Sequence, residues 1–294
     1  MRISAVMHFA DRIAEASRRK STIAVLGVDP QLDAPGVPGV PAGFTLARFC
    51  CEIVEACAPS VVAIKPQLAF FEARGVEGMS ALAEVIRLAR KLDLITIADA
   101  KRGDIGSTSA AYAQAFLGGG DFGCDAVTVN PYQGSDALDP FLAHVREGHG
   151  IFVLVKTSNP SSGDFQDLTA GSGPLWEAVA ARVNKWGTGL TGKCGLTSVG
   201  AVVGATYPAH ARRARKIMPN AIILVPGYGA QGGSATDAVA AARPDGTGIV
   251  VNSSRGIMYA WQKRSGKSPA AAASEAAESM RRELNAALSA RPRS

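Results

Sequence analysis

The sequence predicts an α/β fold, a (β/α)8 TIM barrel with extra N- and C-terminal helices, and three observations predict it. Eight short β-branched apolar runs recur along the chain, none alternates cleanly between apolar and polar residues, and helix-like stretches separate them. Strands apolar on both faces belong to a parallel sheet covered by helices. Alternating β and α units that close on themselves make the barrel. An open doubly wound sheet carries the same periodicity, which does not report closure.

The runs are TIAVLGV at 22–28, SVVAI at 60–64, LITIA at 94–98, DAVTV at 125–129, IFVLV at 151–155, TSVGAVV at 197–203, AIILV at 221–225 and TGIVV at 247–251. Residues 46–58, 79–92, 109–117, 175–186, 208–218 and 235–243 read as helices between them. Further helices, near 5–19 and 269–288, cap the ends. The segments 33–44 and 157–174, rich in Gly, Pro, Ser and Asp, read as loops. With no internal repeat and no linker, 1–294 reads as one domain, a length that suits a barrel of about 250 residues with additions.

Composition narrows the function. No stretch approaches the roughly 18 to 20 apolar residues of a membrane span, and Asp11, Arg12 and Glu15 fall where a secretory signal needs its apolar core. A cytoplasmic protein with no membrane partner is expected. Cys50, Cys51, Cys57, Cys124 and Cys194 form no CxxC pair and read as structural thiols. The four histidines show no ligand spacing, so no metal site is expected. The formal charge of +6 is spread out, with dense groups only at 18–20, 212–216 and the C-terminal tail. Those groups read as solvated helix faces rather than a nucleic-acid surface, and a modest positive field suits a phosphorylated or carboxylated small substrate.

In a barrel, chemistry gathers where the strands end. Asp29 follows the first run, Lys65 the second, Asp99 and Lys101 the third, Thr157 and Ser158 the fifth. Asp29, in GVDP, also fits a turn cap before Pro30. A lysine that continues a buried strand, as Lys65 does, must find a counter-charge or lower its pKa. The spacing D-x-K-x-x-D gives Asp99, Lys101 and Asp104. Residues two apart in an extended strand point the same way, so Asp99 and Lys101 face one cavity while Asp104 lies further along the loop. Arg102 between them reads as a solvated neighbour.

With Lys65, these residues make a cluster of two ammoniums and two carboxylates. Each ammonium has an anionic neighbour that keeps it protonated, and a fixed carboxylate repels an incoming one. That combination suits delivery of a proton to carbon as carbon dioxide leaves. The loops after the seventh and eighth runs supply glycines, Gln231 and Arg255, the elements of a phosphate site. GTGLTGKC at 187–194 mimics a nucleotide P-loop but ends in Cys194 and precedes a strand instead of following one.

From GVDP at Asp29 to SSRG at Arg255, and above all in DAKRGDIGST, the sequence resembles the orotidine 5′-phosphate decarboxylase family. Its length and long fifth loop resemble the larger bacterial branch. The resemblance implies a homodimer with shared active sites, no cofactor, and decarboxylation of orotidine 5′-monophosphate to UMP in pyrimidine biosynthesis. It implies that Lys101 protonates C6, that Asp99 lies beside the departing carboxylate, and that Lys65 and Asp29 hold ribose hydroxyls and brace the cluster. Asp104 and Thr108 match residues that reach the neighbouring subunit's site, Ser158 the reader of the pyrimidine edge, and Gln231 and Arg255 the phosphate ligands. Tyr228 and the segment 160–196 lie outside the matching motifs.

Three other readings share parts of the pattern. A 3-keto-hexulonate phosphate decarboxylase needs Mg²⁺ and an added acidic ligand near strand two, where this chain has Pro66, Gln67 and Leu68. A Schiff-base aldolase needs a free amine, which lysines between carboxylates supply poorly. A non-catalytic nucleotide-binding regulator has no need of the intact charged cluster.

Overall fold

The computed structural model describes residues 7–32, 39–205, 207–229, 233–264 and 266–291. In chain order the strands are β1 (Ala24–Val28), β2 (Ala63–Pro66), β3 (Ile95–Arg102), β4 (Ala126–Val129), β5 (Gly150–Lys156), β6 (Thr169–Ala170), β7 (Gly173–Pro174), β8 (Thr197–Val203), β9 (Ala221–Val225) and β10 (Ile249–Ser253). All but β6 and β7 close into a parallel barrel in the order β1-β10-β9-β8-β5-β4-β3-β2. Closure is visible at β1, which pairs with β10 through Ala24 and Val251 and with β2 through Val25 and Ala63. That pairing removes the open-sheet alternative. The segment expected as the fifth loop contains β6 and β7, a two-stranded antiparallel hairpin.

Alternation along each strand divides two cores. Val25, Ala63, Ile97, Ala126, Phe152, Ile222 and Val250 pack together in the barrel interior. The opposite faces pack under helices that include Leu46–Cys57, Gly75–Lys91, Gly106–Leu117, Leu175–Trp186 and Pro208–Ile217. A helix at Ser135–Arg146 completes the series; Pro140 inside it interrupts the usual sequence signal. The helix expected at 235–243 is one turn, Ala235–Ala238, held by a Ser234–Asp237 capping box. Beyond it, bonds of Ala240 to Asp237 and Ala242 to Val239 tighten the chain into turns before Pro244, which cannot donate.

The two terminal helices, both expected as caps, divide. The first closes the end of the barrel, whereas the last packs in the outer layer against the Leu46–Cys57 helix and β1, because its apolar face matches the outer core and not the interior. The first, Phe9–Lys20, plugs the lower end of the barrel; it starts after His8 rather than near residue 5, and residues 5 and 6 fall outside the described residues. Phe9 meets Phe152 edge-on with ring centroids 5.9 Å apart. Gly150 makes the space, since a Cβ there would lie 2.3 Å from the Phe9 ring. The last helix, Pro269–Ser289, starts with Ser268 as N-cap and Pro269 in the first turn, and buries Ala273, Ala277, Met280 and Leu284.

The P-loop-like stretch lies at this lower end. Its amides at Lys193 and Cys194 donate to the Asp11 carboxylate at 3.0 and 2.8 Å, so the anion they hold belongs to the first helix. Cys50, Cys57 and Cys124 are buried and unpaired, and burial pushes the Cys57 and Cys124 thiols up to about 12, as suits packing groups. No helix among the described residues is long and apolar enough to cross a membrane.

Candidate active site

The last interior layer of the barrel forms the floor of a cavity of about 440 Å³ at the C-terminal ends of the strands. Lys65, Asp99, Thr128 and Asn252, from β2, β3, β4 and β10, make one arc of this floor polar. Leu154, Val202 and Leu224, from β5, β8 and β9, make the other arc apolar. β1 contributes Gly27, where a Cβ would lie 1.9 Å from Ser254 Oγ. A polar arc facing an apolar one can orient a ligand by charge on one side while excluding water on the other.

Asp99 organises the polar arc. Its Oδ2 accepts from Lys65 Nζ and, at 3.0 Å, from Gln67 Nε2; its Oδ1 accepts from Lys101 Nζ at 2.6 Å and from Thr128 Oγ1 at 3.0 Å. Asp99 and Lys65 are only 6% and 4% exposed, so each charge depends on buried counter-charges. Burial opposes ionisation of Asp99, but Lys65 and Lys101 outweigh it and hold the carboxyl below its ordinary range. Burial likewise opposes the charge on Lys65, and Asp99 and Asp29 reverse that effect, raising its pKa.

Lys101 reaches Asp99 by a route that strand alternation does not describe. Its backbone is left-handed, with φ +47°, and the β3–β4 register shifts between Ala98 and Arg102. A non-glycine residue pays roughly 1 to 2 kcal/mol for that conformation. The bulge, rather than simple two-residue periodicity, turns the half-exposed Lys101 ammonium to the buried carboxylate.

The other expected residues divide. Asp29, Ser158 and Arg255 line the same cavity. Burial raises the Asp29 carboxyl above its ordinary value, and Lys65 and Ser254 offset only part of the effect. Its Oδ1 has no hydrogen-bond partner among the described residues. Gly204 leaves room for Ser158, whose Cβ would lie 2.9 Å from a Cβ at that glycine. Asp104 and Thr108 stand at the start of the Gly106–Leu117 helix and do not line this cavity; Asp104 Oδ1 accepts from the Ile105 amide at 2.8 Å. Gln231 lies outside the described residues.

Arg102 is not a solvated neighbour. It pairs with Glu72, donates to the Ala100 carbonyl at 3.1 Å and lies over the rings of Tyr112 and Phe116 at 5.4 and 5.5 Å. The guanidinium ties β3 to two helices behind the site, because a planar cation can stack and donate at once. Tyr228, left open by the sequence, lines the cavity and donates from its hydroxyl to Glu283 on the last helix.

Thr128, Gln67 and Asn252 were not anticipated. A polar side chain inside an apolar run, as in AVTV or IVVNS, is the signal that would have found two of them. A larger cavity, about 830 Å³, opens at the lower end, where Asp245 is engaged by Thr247 and Arg291 by the carbonyls of Ala242 and Arg243. Among the described residues no group of three or more His, Cys, Asp or Glu side chains gathers as a metal site.

Comparison with known proteins agrees with the geometry. The chain matches the family model described as orotidine 5′-phosphate decarboxylase / HUMPS family over residues 39–272. It is 45% identical over 275 residues to an orotidine 5′-phosphate decarboxylase of Rhodopirellula baltica, covering 88% of this chain and 90% of the relative. A second relative of that description, from Deinococcus radiodurans, is 44% identical over 283 residues, covering 95% and 98%. The solved OMP decarboxylase of Leishmania donovani superposes with a TM-score of 0.79 at 34% identity, covering 97% of this chain and all of that one. A barrel with this charged floor, matched along nearly its whole length, belongs to the orotidine 5′-phosphate decarboxylase family.

Proposed function

We propose that the chain decarboxylates orotidine 5′-monophosphate to UMP and carbon dioxide without a cofactor, with Lys101 as the proton donor to C6. The observation that carries this reading is one buried carboxylate, Asp99, shared by two lysines on the cavity floor. A substrate carboxylate seated beside Asp99 meets a fixed negative charge, and that repulsion is relieved as the C6–carboxylate bond breaks. The electron pair stays on C6, carbon dioxide leaves, and the Lys101 ammonium first stabilises the developing charge and then supplies the proton that makes the C6–H bond. The neutral amine left behind is reprotonated from water.

Lys65 and Asp29 hold the ribose hydroxyls in this reading, Ser158 reads the pyrimidine edge, and Arg255 with Gln231 grips the phosphate. Binding energy gathered at the phosphate then assists a reaction at C6. Asp104 and Thr108, which do not line their own cavity, serve a neighbouring site in a homodimer. The enzyme works in the cytoplasm.

The first test is absorbance loss of orotidine 5′-monophosphate, with and without EDTA. Turnover that survives EDTA is expected; a requirement for added Mg²⁺ would overturn the cofactor-free reading. No loss of the nucleotide beside Mg²⁺-dependent decarboxylation of a 3-keto-hexulonate phosphate would favour the phosphosugar-type reading. Lys101→Ala should lower kcat by about a hundredfold or more while UMP still binds. Near-normal turnover in that variant sinks the assignment of Lys101. Arg255→Ala should raise KM by about tenfold or more, as loss of a charged phosphate contact predicts.

A further inference from the structure

The floor of the cavity holds a group that no part of the proposed chemistry uses. Thr128 is 1% exposed, midway along the interior side of β4, and lines the cavity. Its Oγ1 accepts from the Lys101 backbone N–H at 2.9 Å and donates to Asp99 Oδ1 at 3.0 Å. That same Oδ1 accepts the Lys101 ammonium at 2.6 Å.

A hydroxyl has one proton. With that proton committed to the carboxylate, its lone pairs are free for the lysine amide, so each of the two bonds fixes the sense of the other. The amide in question stands at the β3–β4 register shift, on the residue whose backbone is left-handed. Thr128 thus closes a ring that runs from the Lys101 backbone through the hydroxyl and the Asp99 carboxylate to the Lys101 ammonium.

We propose that Thr128 is a positioning residue: its hydroxyl fixes the Asp99 carboxylate and the Lys101 backbone together, and so sets where the Lys101 ammonium stands. This rests on the reading of Lys101 as the proton donor. Without the hydroxyl, Asp99 loses one of the donors to Oδ1 and is freer to rotate. The Lys101 amide loses its acceptor, and the left-handed turn loses the bond that holds it. The reacting proton is then displaced while the phosphate grip is untouched and Lys65 keeps its bond to the other carboxylate oxygen, so the effect falls chiefly on kcat rather than KM.

Thr128→Val keeps the shape and removes both bonds, and Thr128→Ser keeps the hydroxyl. Steady-state kinetics on the full-length enzyme with orotidine 5′-monophosphate should show Thr128→Val lowering kcat by about tenfold or more, with KM within about threefold. Thr128→Ser should stay within about threefold of the parent in both. Retention of kcat in Thr128→Val overturns the proposal, as does an equal loss in Thr128→Ser, or a loss that appears in KM instead. If Thr128→Val does not fold, Thr128→Ala carries the same comparison. Lys101→Ala run in parallel separates the failures. An active Lys101→Ala overturns the proton-donor reading and this proposal with it, whereas an inactive Lys101→Ala beside an unimpaired Thr128→Val overturns this proposal alone.

Discussion

Two lysines continue buried strands of this barrel, Lys65 in β2 and Lys156 at the end of β5, and they are 4% and 2% exposed. Each is neutralised by an aspartate: Lys65 by Asp99, and Lys156 by both oxygens of Asp167 at 2.8 and 2.9 Å. The partners differ. The Asp99 side chain is 8% exposed, belongs to the cavity floor and binds a second lysine, whereas the Asp167 side chain is 48% exposed and belongs to the loop after β5. Lys156 also donates to Ser162 Oγ at 3.3 Å in that loop. A buried lysine therefore reports only that a counter-charge exists. Whether it serves chemistry depends on where the partner stands and what else the partner holds.

The largest test of that contrast removes the partners. Asp99→Ala leaves Lys65 buried without its main counter-charge and should cost about 3 to 5 kcal/mol by urea unfolding, along with nearly all turnover. Asp167→Ala removes a half-exposed partner whose place beside the buried Lys156 water can take, and should cost less, about 1 to 2 kcal/mol, with most turnover kept. Equal losses in the two variants would erase the distinction.

Replacing the lysines gives a smaller but cleaner separation. Lys65→Met should lower kcat by about a hundredfold. Lys156→Met loosens the loop beside Ser158, so its effect should fall on KM, by roughly threefold to tenfold. A kcat defect of the same size in both would show that the β5 lysine belongs to the reaction.

Titration sharpens the electrostatic side. Asp99 and Asp29 should titrate on opposite sides of 3.8 in a carboxyl NMR experiment, Asp99 below and Asp29 above. The stability that Asp99 contributes is fully present above 3.8 and is lost as pH falls through its lower folded value. Asp29 acts in the opposite sense, weakening the fold as pH rises from 3.8 through its raised value. A reversed order of the two carboxyls would contradict the assignment of Lys65 and Lys101 as chiefly Asp99's partners. The smallest expected effect is Arg102→Lys, which loses stacking on two rings and should cost about 1 kcal/mol with turnover nearly unchanged. A large kcat loss there would place Arg102 among the groups that hold Lys101.

Much of the site was legible because it follows from local chemistry. Lys65, Asp99, Ser158 and Arg255 were found by reading the residues at strand ends, and the cavity collects all four. Lys156 carries an equal signal in IFVLVK, yet its ammonium is held by Asp167 and Ser162 and does not line the cavity, a difference that strand-end position alone does not encode. AVTV signals that Thr128 is unusual, but its role and that of Arg102 are not readable from sequence, since Thr128 bonds Lys101 across 27 residues and Arg102 pairs with Glu72 across 30.

By itself the sequence determined the eight strands, the end of the barrel at which charges gather and the family. These depend on apolar periodicity and on residue types at fixed offsets, which are local properties of the chain. Tertiary structure alone decided that the sheet closes and that a strand bulge, not simple alternation, turns Lys101 to Asp99. It also decided that Asp104 and Thr108 stand outside their own cavity. The reason is physical: closure, a register shift and the direction of a side chain are set by packing between segments distant in sequence, and no single segment encodes them.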